Sequence, residues 1–423
     1  MDRRQFLRRA GLGTLAVAGA TALGGTLAGC GGGASSNGKM TLDFPTWQGD
    51  EPGVKVWWRQ AIAAFEKKHP NVKINLQTVP YDSYTDTLTS RFSANKGPDI
   101  VHLPTTTFGS FAAQGWLANL DDRLKGTDIL ANWTSVQKTQ IWNGHNAGVL
   151  VLGYAPVLYY NDKMLKDAGV NVPTTMAELL AAAKKLTAHG KYGYGATTTS
   201  HPGTYGEATW MVYGAGGGWS AGERLRFTDD VVVNAMDDYR NTAKFSPKGV
   251  PAEQKRTLFF DGKIAMMIEG PFVYAGLGDA AKSVQPHVKL AKAPFLKQAG
   301  YPSNSIHIST QSEGDKADMV WEFIKSLTTP AMQTDYARLY DVPAPRRGAV
   351  TKALVKAHPE LGLFQQVTDE AVDATPDNQD IVANFNEFQK LVVDACVRLQ
   401  TSSTPTRTVM SDLQDKVAKA IKS

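Results

Sequence analysis

Apolar and polar residues alternate from Met40 to Phe44, the two-residue period of a strand, and the run ends at Pro45-Thr46-Trp47. Between Val54 and Lys68 the period changes. Val56, Trp57, Ile62, Ala63 and Phe65 recur at helical spacing, and His69-Pro70 stops the pattern. Val72 to Val79 reads as a second strand, Tyr84 to Asn95 as a second amphipathic helix, and Pro98 to Leu103 as a third strand. A short helix follows from Phe108 to Gln114 and ends at Gly115. This β-α-β-α-β order predicts a parallel sheet with helices on its faces. Gly148 to Tyr160 is rich in strand formers, and Asp162 to Ala168 is a helix closed by Gly169. Met176 to His189 is a strong helix, capped by Thr174 or Thr175 and stopped by Gly190. The C-terminal third is mostly helical, over Lys316–Leu327, Ala331–Leu339, Ala383–Leu399 and Val409–Ile421. No internal repeat interrupts this order.

The first thirty residues follow another logic. Arg3-Arg4-Gln5-Phe6-Leu7-Arg8-Arg9 is a basic start with a twin-arginine signature. The apolar run from Leu12 to Ala28 falls short of the ~20 strongly apolar residues of a permanent membrane span. It ends in Leu27-Ala28-Gly29-Cys30, which looks like a bacterial lipobox, so Cys30 is expected to carry a lipid and residues 1–29 to be removed. The stretch 30–39, rich in Gly and Ser, reads as a flexible tether. The protein is then extracytoplasmic, held to the membrane by its lipid. Cys396, the other cysteine, lies among apolar residues at helical spacing and reads as a core thiol, so no disulfide is expected.

Composition excludes several classes. A folded part of ~390 residues exceeds the ~250–300 residues that one core supports, so two lobes are expected. The formal charge of +5 falls to about +2 without the first ten residues, which hold four arginines and one aspartate. No basic stripe remains for nucleic acid. The eight histidines are scattered, no Cys/His cluster has metal spacing, and no cofactor motif is present. Gly-x-Ser-x-Gly, His-Glu-x-x-His and the phosphate loop are absent, so no catalytic residue is assigned. A secreted glycosidase would need two carboxylates ~5–10 Å apart. Asp261 and Glu269 could lie close together, but on a turn and a strand they read as structural.

Several segments resemble the extracellular solute-binding proteins of family 1, the group of maltodextrin-binding and other sugar-binding proteins. They are Gly97-Pro98-Asp99-Ile100-Val101 with Gly115-Trp116-Leu117, and Tyr159-Tyr160-Asn161-Asp162-Lys163 through Gly169 with Pro173-Thr174-Thr175. Phe260-Asp261-Gly262-Lys263 through Glu269-Gly270-Pro271-Phe272 and Val342-Pro343-Ala344-Pro345-Arg346-Arg347 continue the series in family order. The resemblance implies an α/β, two-lobed fold of the type II periplasmic-binding-protein kind, with a ligand cleft between lobes. It places residues 40–152 plus about 285–338 in lobe 1, and 153–284 plus about 339–423 in lobe 2. It further implies a monomeric substrate-binding component that delivers a sugar to the permease subunits of an ABC importer. A polyol or glycerol phosphate is the alternative cargo.

Sugars are held by aromatic faces on their C–H surfaces and by polar groups on their hydroxyls. Tyr154, after a strand, and Gly270 with Phe272, off a strand into a tight turn, are expected in the cleft. Glu269 precedes that turn as a hydroxyl acceptor or a structural carboxylate. Gln48 beside Trp47 is a candidate hydroxyl partner. Thr105 and Thr106 either meet the ligand or cap the helix that follows. Trp210 and Trp219 flank Gly214, Gly216, Gly217 and Gly218, and one is expected to stack on sugar while the other packs. Arg346 is expected near the rim, as a hydroxyl ligand or in an ion pair.

Overall fold

The computed structural model describes residues 39–421, Pro52 excepted. The twin-arginine segment, Cys30 and the tether up to residue 38 lie outside these described residues.

Two short hairpins aside, the sheets among the described residues are built from β1 Met40–Thr46, β2 Val72–Thr78, β3 Ile100–Pro104, β4 Val149–Tyr154, β5 Val157–Asn161, β6 Met266–Glu269, β7 Val288–Lys292, β8 Ala299–Ile308 and β9 Val372–Asp373. β1 and β2 run parallel in unbroken register from Met40 opposite Val72 to Thr46 opposite Thr78. The third strand departs from the expected parallel order. β3 bonds antiparallel to β8, Ile100 facing Ile308 and Pro104 facing Asn304. β8 also takes β4 antiparallel, with Tyr301 opposite Tyr154, and β9 parallel at Ala299 and Gly300. Sequence order suggests neighbours nearby in the chain, but β3 takes its partner about two hundred residues later. A second sheet has β5 at its centre, with β6 and β7 antiparallel on its two sides. β7 lies beyond residue 285, the expected change of lobe, and pairs with β5.

The helices form where local signals put them. Val54–Lys68 starts after Gly53, whose φ of 75° suits glycine, and ends at His69. Its buried face is Val54, Trp57, Trp58, Ala61, Ile62 and Phe65, whereas Val56 and Ala63 face out. Helix Met176–Leu186 is capped by Thr175, whose hydroxyl accepts the Glu178 N–H, and the Glu178 carboxylate in turn accepts both donors of Thr174 at 2.8 Å. Cys396 is fully buried in helix Phe385–Thr401. Tyr84, Phe92, Leu103 and Phe111 pack one local core, and Tyr159, Phe259, Met267 and Phe364 another.

Candidate ligand-binding cleft

At the first end of the candidate site, β1 delivers Thr46 to a short helical turn, Trp47–Gly49. The Thr46 hydroxyl lies 2.8 Å from His102 Nδ1, and His102 Nε2 lies 3.0 Å from Asn304 Oδ1. A carboxamide oxygen only accepts, so Nε2 carries the proton and Nδ1 accepts from Thr46. Burial pushes the His102 pKa down to about 3, which keeps the ring neutral and this direction fixed. The Trp47 ring stacks on the imidazole at 4.2 Å and 2°. The Gln48 N–H donates to Thr46, and the Gln48 side-chain oxygen accepts from the Trp58 indole at 3.2 Å. These groups back a cavity of about 230 Å³ lined by Trp47, Gln48, Glu51, Asn304, Tyr340 and Phe272, among others. Burial raises the Glu51 carboxyl, with hydrogen bonds from Tyr340 and Gln48 working against it.

An aromatic file leads away from this cavity. Phe272 and Tyr154 meet edge to face at 5.6 Å, Tyr154 and Tyr301 lie at 6.1 Å, and Tyr301 and Trp210 at 6.5 Å. β4 and β8 set Tyr154 opposite Tyr301, and helix Pro202–Gly214 supplies Trp210. The Trp210 indole N–H is shielded from water yet has no partner among the described residues. Gly270 allows the rings to approach, since a Cβ there would lie 2.3 Å from Phe272 and 2.9 Å from Tyr154. The Arg256 guanidinium sits 5.2 Å above the Phe272 ring.

Two further cavities, of about 290 and 330 Å³, share Asp373, Thr375 and Asp377, on the turn that leaves β9. Thr105, next to Pro104 of the first cavity, lines the smaller one, so the cavities flank the end of β3. Open α/β sheets gather ligands at such strand ends. Burial lifts the Asp373 carboxyl to about 6, and the nearby Asp377 charge pushes the same way. Sequence reasoning missed this turn. Its signal was Asp373-Ala374-Thr375-Pro376-Asp377-Asn378, a cluster of turn formers that reads as a loop.

The remaining candidates go elsewhere. Trp219 is fully buried, bonded through its indole to Thr209 at 3.1 Å and stacked on Phe227 at 5.5 Å. Glu269 is buried between Lys255 at 2.8 Å and Arg256 at 3.0 Å. Arg346 is buried too, and its guanidinium holds both Asp128 oxygens and the Thr328 carbonyl. Thr106 lines none of the three cavities and sits in the first turn of helix Thr105–Ala113. Asp341, His358 and Glu360, scattered in sequence, come together with potential ligand atoms within 4.8 Å. His358 Nδ1 lies 3.3 and 3.4 Å from the two carboxylates, which ion pairing explains.

The family model of bacterial extracellular solute-binding proteins matches residues 49–334. The chain belongs to this family. Among curated relatives, a putative binding protein of Brucella abortus is 28% identical over 254 residues, 56% of this chain. The match spans 59% of that relative's length. A galactooligosaccharide-binding protein of Bacillus subtilis is 24% identical over 400 residues, covering 90% of this chain and 89% of the relative. The solved structure of a cyclic alpha-maltosyl-1,6-maltose binding protein from Arthrobacter globiformis superposes with a TM-score of 0.79 at 17% identity, over 91% of this chain and all of that one. The fold of this solute-binding protein is accordingly the two-lobed α/β fold with a cleft between lobes.

Proposed function

We propose that this solute-binding protein takes a sugar or oligosaccharide in its interlobe cleft and delivers it to the permease of an ABC importer. The observation that carries the reading is the file Phe272, Tyr154, Tyr301 and Trp210, which starts at the cavity of Gln48 and Asn304 and ends in a shielded indole N–H without a partner among the described residues. Such rings offer area to the C–H faces of a pyranose, and the N–H offers a donor to a hydroxyl. Glycerol phosphate fits less well, because no Lys or Arg lines the first cavity to meet a phosphate. Gln48 and Asn304 are the hydroxyl partners at that end. The sheet pairings support a first lobe holding 40–152 and 299–308 and a second holding 157–161, 266–269 and 288–292, with a crossing near 293–298.

The bound sugar leaves unchanged. Lys255 and Arg256 hold the Glu269 carboxyl at about 2 against burial, so it donates no proton near neutral pH. Both Asp377 oxygens already accept bonds, from the Ser220 hydroxyl and the Gly222 N–H. No free carboxylate pair of glycosidase type remains at either place. The anchor is the lipidated Cys30, and no described helix is long and apolar enough to cross a membrane.

Calorimetric titration with a panel of sugars tests the reading. Trp210→Phe, which keeps most of the buried ring and removes the indole N–H, is expected to lower affinity at least about tenfold with a much smaller change in melting. Trp219→Ala is expected to behave oppositely, losing ~3–5 kcal/mol of stability. Binding of glycerol phosphate but of no sugar would replace the cargo.

A further inference from the structure

The 290 Å³ cavity beside the end of β3 presents polar groups that have open valences among the described residues. One Asp373 oxygen accepts the Thr375 N–H at 3.1 Å and the Thr375 hydroxyl at 2.7 Å, while the other has no donor among the described residues. Asp377, four residues on, has both oxygens occupied and belongs to the frame. Lys138, on the turn Ser135–Gln140, lines the same 290 Å³ cavity, and its ammonium has no carboxylate partner among the described residues. The Thr105 hydroxyl, in the first turn of helix Thr105–Ala113, is buried there without a partner among the described residues. Phe108 and Phe385 supply apolar walls. A half-buried acceptor, an exposed ammonium and a buried hydroxyl converge on one cavity, and a ligand seated there must satisfy all three as it displaces their water.

We propose that Asp373 and Lys138 are the reading pair of a second sugar subsite, which selects a neutral ring bearing adjacent hydroxyls. The inference rests on the sugar-binding reading and extends it. One ligand hydroxyl donates to the open Asp373 oxygen, and another accepts from Lys138. The two charges face one cavity and offset each other, so an uncharged ring satisfies both, whereas a uronate meets Asp373 and an amino sugar meets Lys138 with like charge. The other charged groups facing Asp373 do not alter this balance. Asp377 is held by Ser220 and Gly222, Arg226 is paired with Asp229 at 2.8 Å, and Lys297 is exposed at the outer edge of the adjoining cavity. Since Thr105 of this cavity adjoins Pro104 of the Gln48–Asn304 cavity, a ligand that fills both spans more than one ring: a neutral oligosaccharide.

The test is calorimetry on the full chain with maltotriose, cellotriose and galactotriose, their monosaccharides, and glucuronate- and glucosamine-terminated analogues. Asp373→Asn and Lys138→Met are each expected to weaken the best trisaccharide at least about tenfold without lowering the melting temperature. Affinity of the unmodified protein should fall as pH drops below about 6, where Asp373 takes its proton, and this step should vanish in Asp373→Asn. If Trp210→Phe weakens a sugar but both variants bind it normally with the pH step intact, the second subsite is wrong while sugar binding stands. Preference for a charged analogue would overturn the neutral-ring assignment. If no sugar binds at any length, both proposals fall together.

Discussion

Glu269 and Asp373 both sit at strand ends, the first buried and the second half-buried, and they are held in opposite states. Burial pushes each carboxyl up. At Glu269 the Lys255 and Arg256 charges overcome that push and set the group at about 2. Lys255 is itself fully buried and also holds Glu207 at 2.6 Å, so helix Pro202–Gly214, helix Ala252–Phe260 and β6 share one internal ion network. At Asp373 only two Thr375 bonds and the distant Lys138 work against burial, while Asp377 adds to it, and the group settles at about 6. The difference teaches that depth alone does not decide the state of a buried carboxylate. A counter-ion in contact does, and a carboxylate that lacks one is the better candidate for meeting a ligand.

The comparison breaks most visibly at Lys255. Lys255→Met leaves the buried Glu207 without a counter-ion and Glu269 with Arg256 alone, and ~3–5 kcal/mol of stability should be lost in chemical denaturation. A loss under ~1 kcal/mol would mean that the network is not what holds Glu269 down. Asp373→Asn should act in the other direction. Its folded pKa lies above the unfolded value, so the native state takes the proton first and gains stability as pH falls from about 6 toward about 4. The amide mimics that protonated state, so the variant should be more stable at pH 7 by on the order of 1–2 kcal/mol, and the advantage should vanish near pH 4. Glu269 has the opposite sign: its contribution is complete above about 4.5 and is lost as pH falls toward about 2. Urea melts at pH 7, 5 and 4 read these limbs. The smallest effect belongs to Arg256→Lys, which keeps a charge near Glu269 but loses the two-point contact and the position above Phe272. It should cost about 0.5–1 kcal/mol.

The helices were legible because their signals lie within a few residues of one another. Val54–Lys68 runs from a glycine to His-Pro, and Met176–Leu186 begins at the Thr175 cap. Even there the phase was partly misread, since Val56 and Ala63 face solvent while Trp58 and Ala61 face the core. Trp210 and Trp219 show where reading stops. Both border the same run of glycines, yet one ends the aromatic file and the other is sealed against Phe227 and Thr209. Arg346 likewise has Asp128 as its partner, more than two hundred residues away.

By itself the sequence determined the elements, the helix caps, the glycine that lets Phe272 and Tyr154 meet, and an order of segments recognisable as a solute-binding protein. Caps, periodicity and φ preferences act over one to a few residues, so they are written locally. Only the tertiary structure decided that β3 pairs with β8, that β7 joins the sheet of β5 and β6, and that Glu269 is neutralised while Asp373 is not. Each of these depends on which distant groups arrive within a few ångströms and how much water they displace. Hydrogen-bond pairing and desolvation are settled by those arrivals, and no local pattern encodes them.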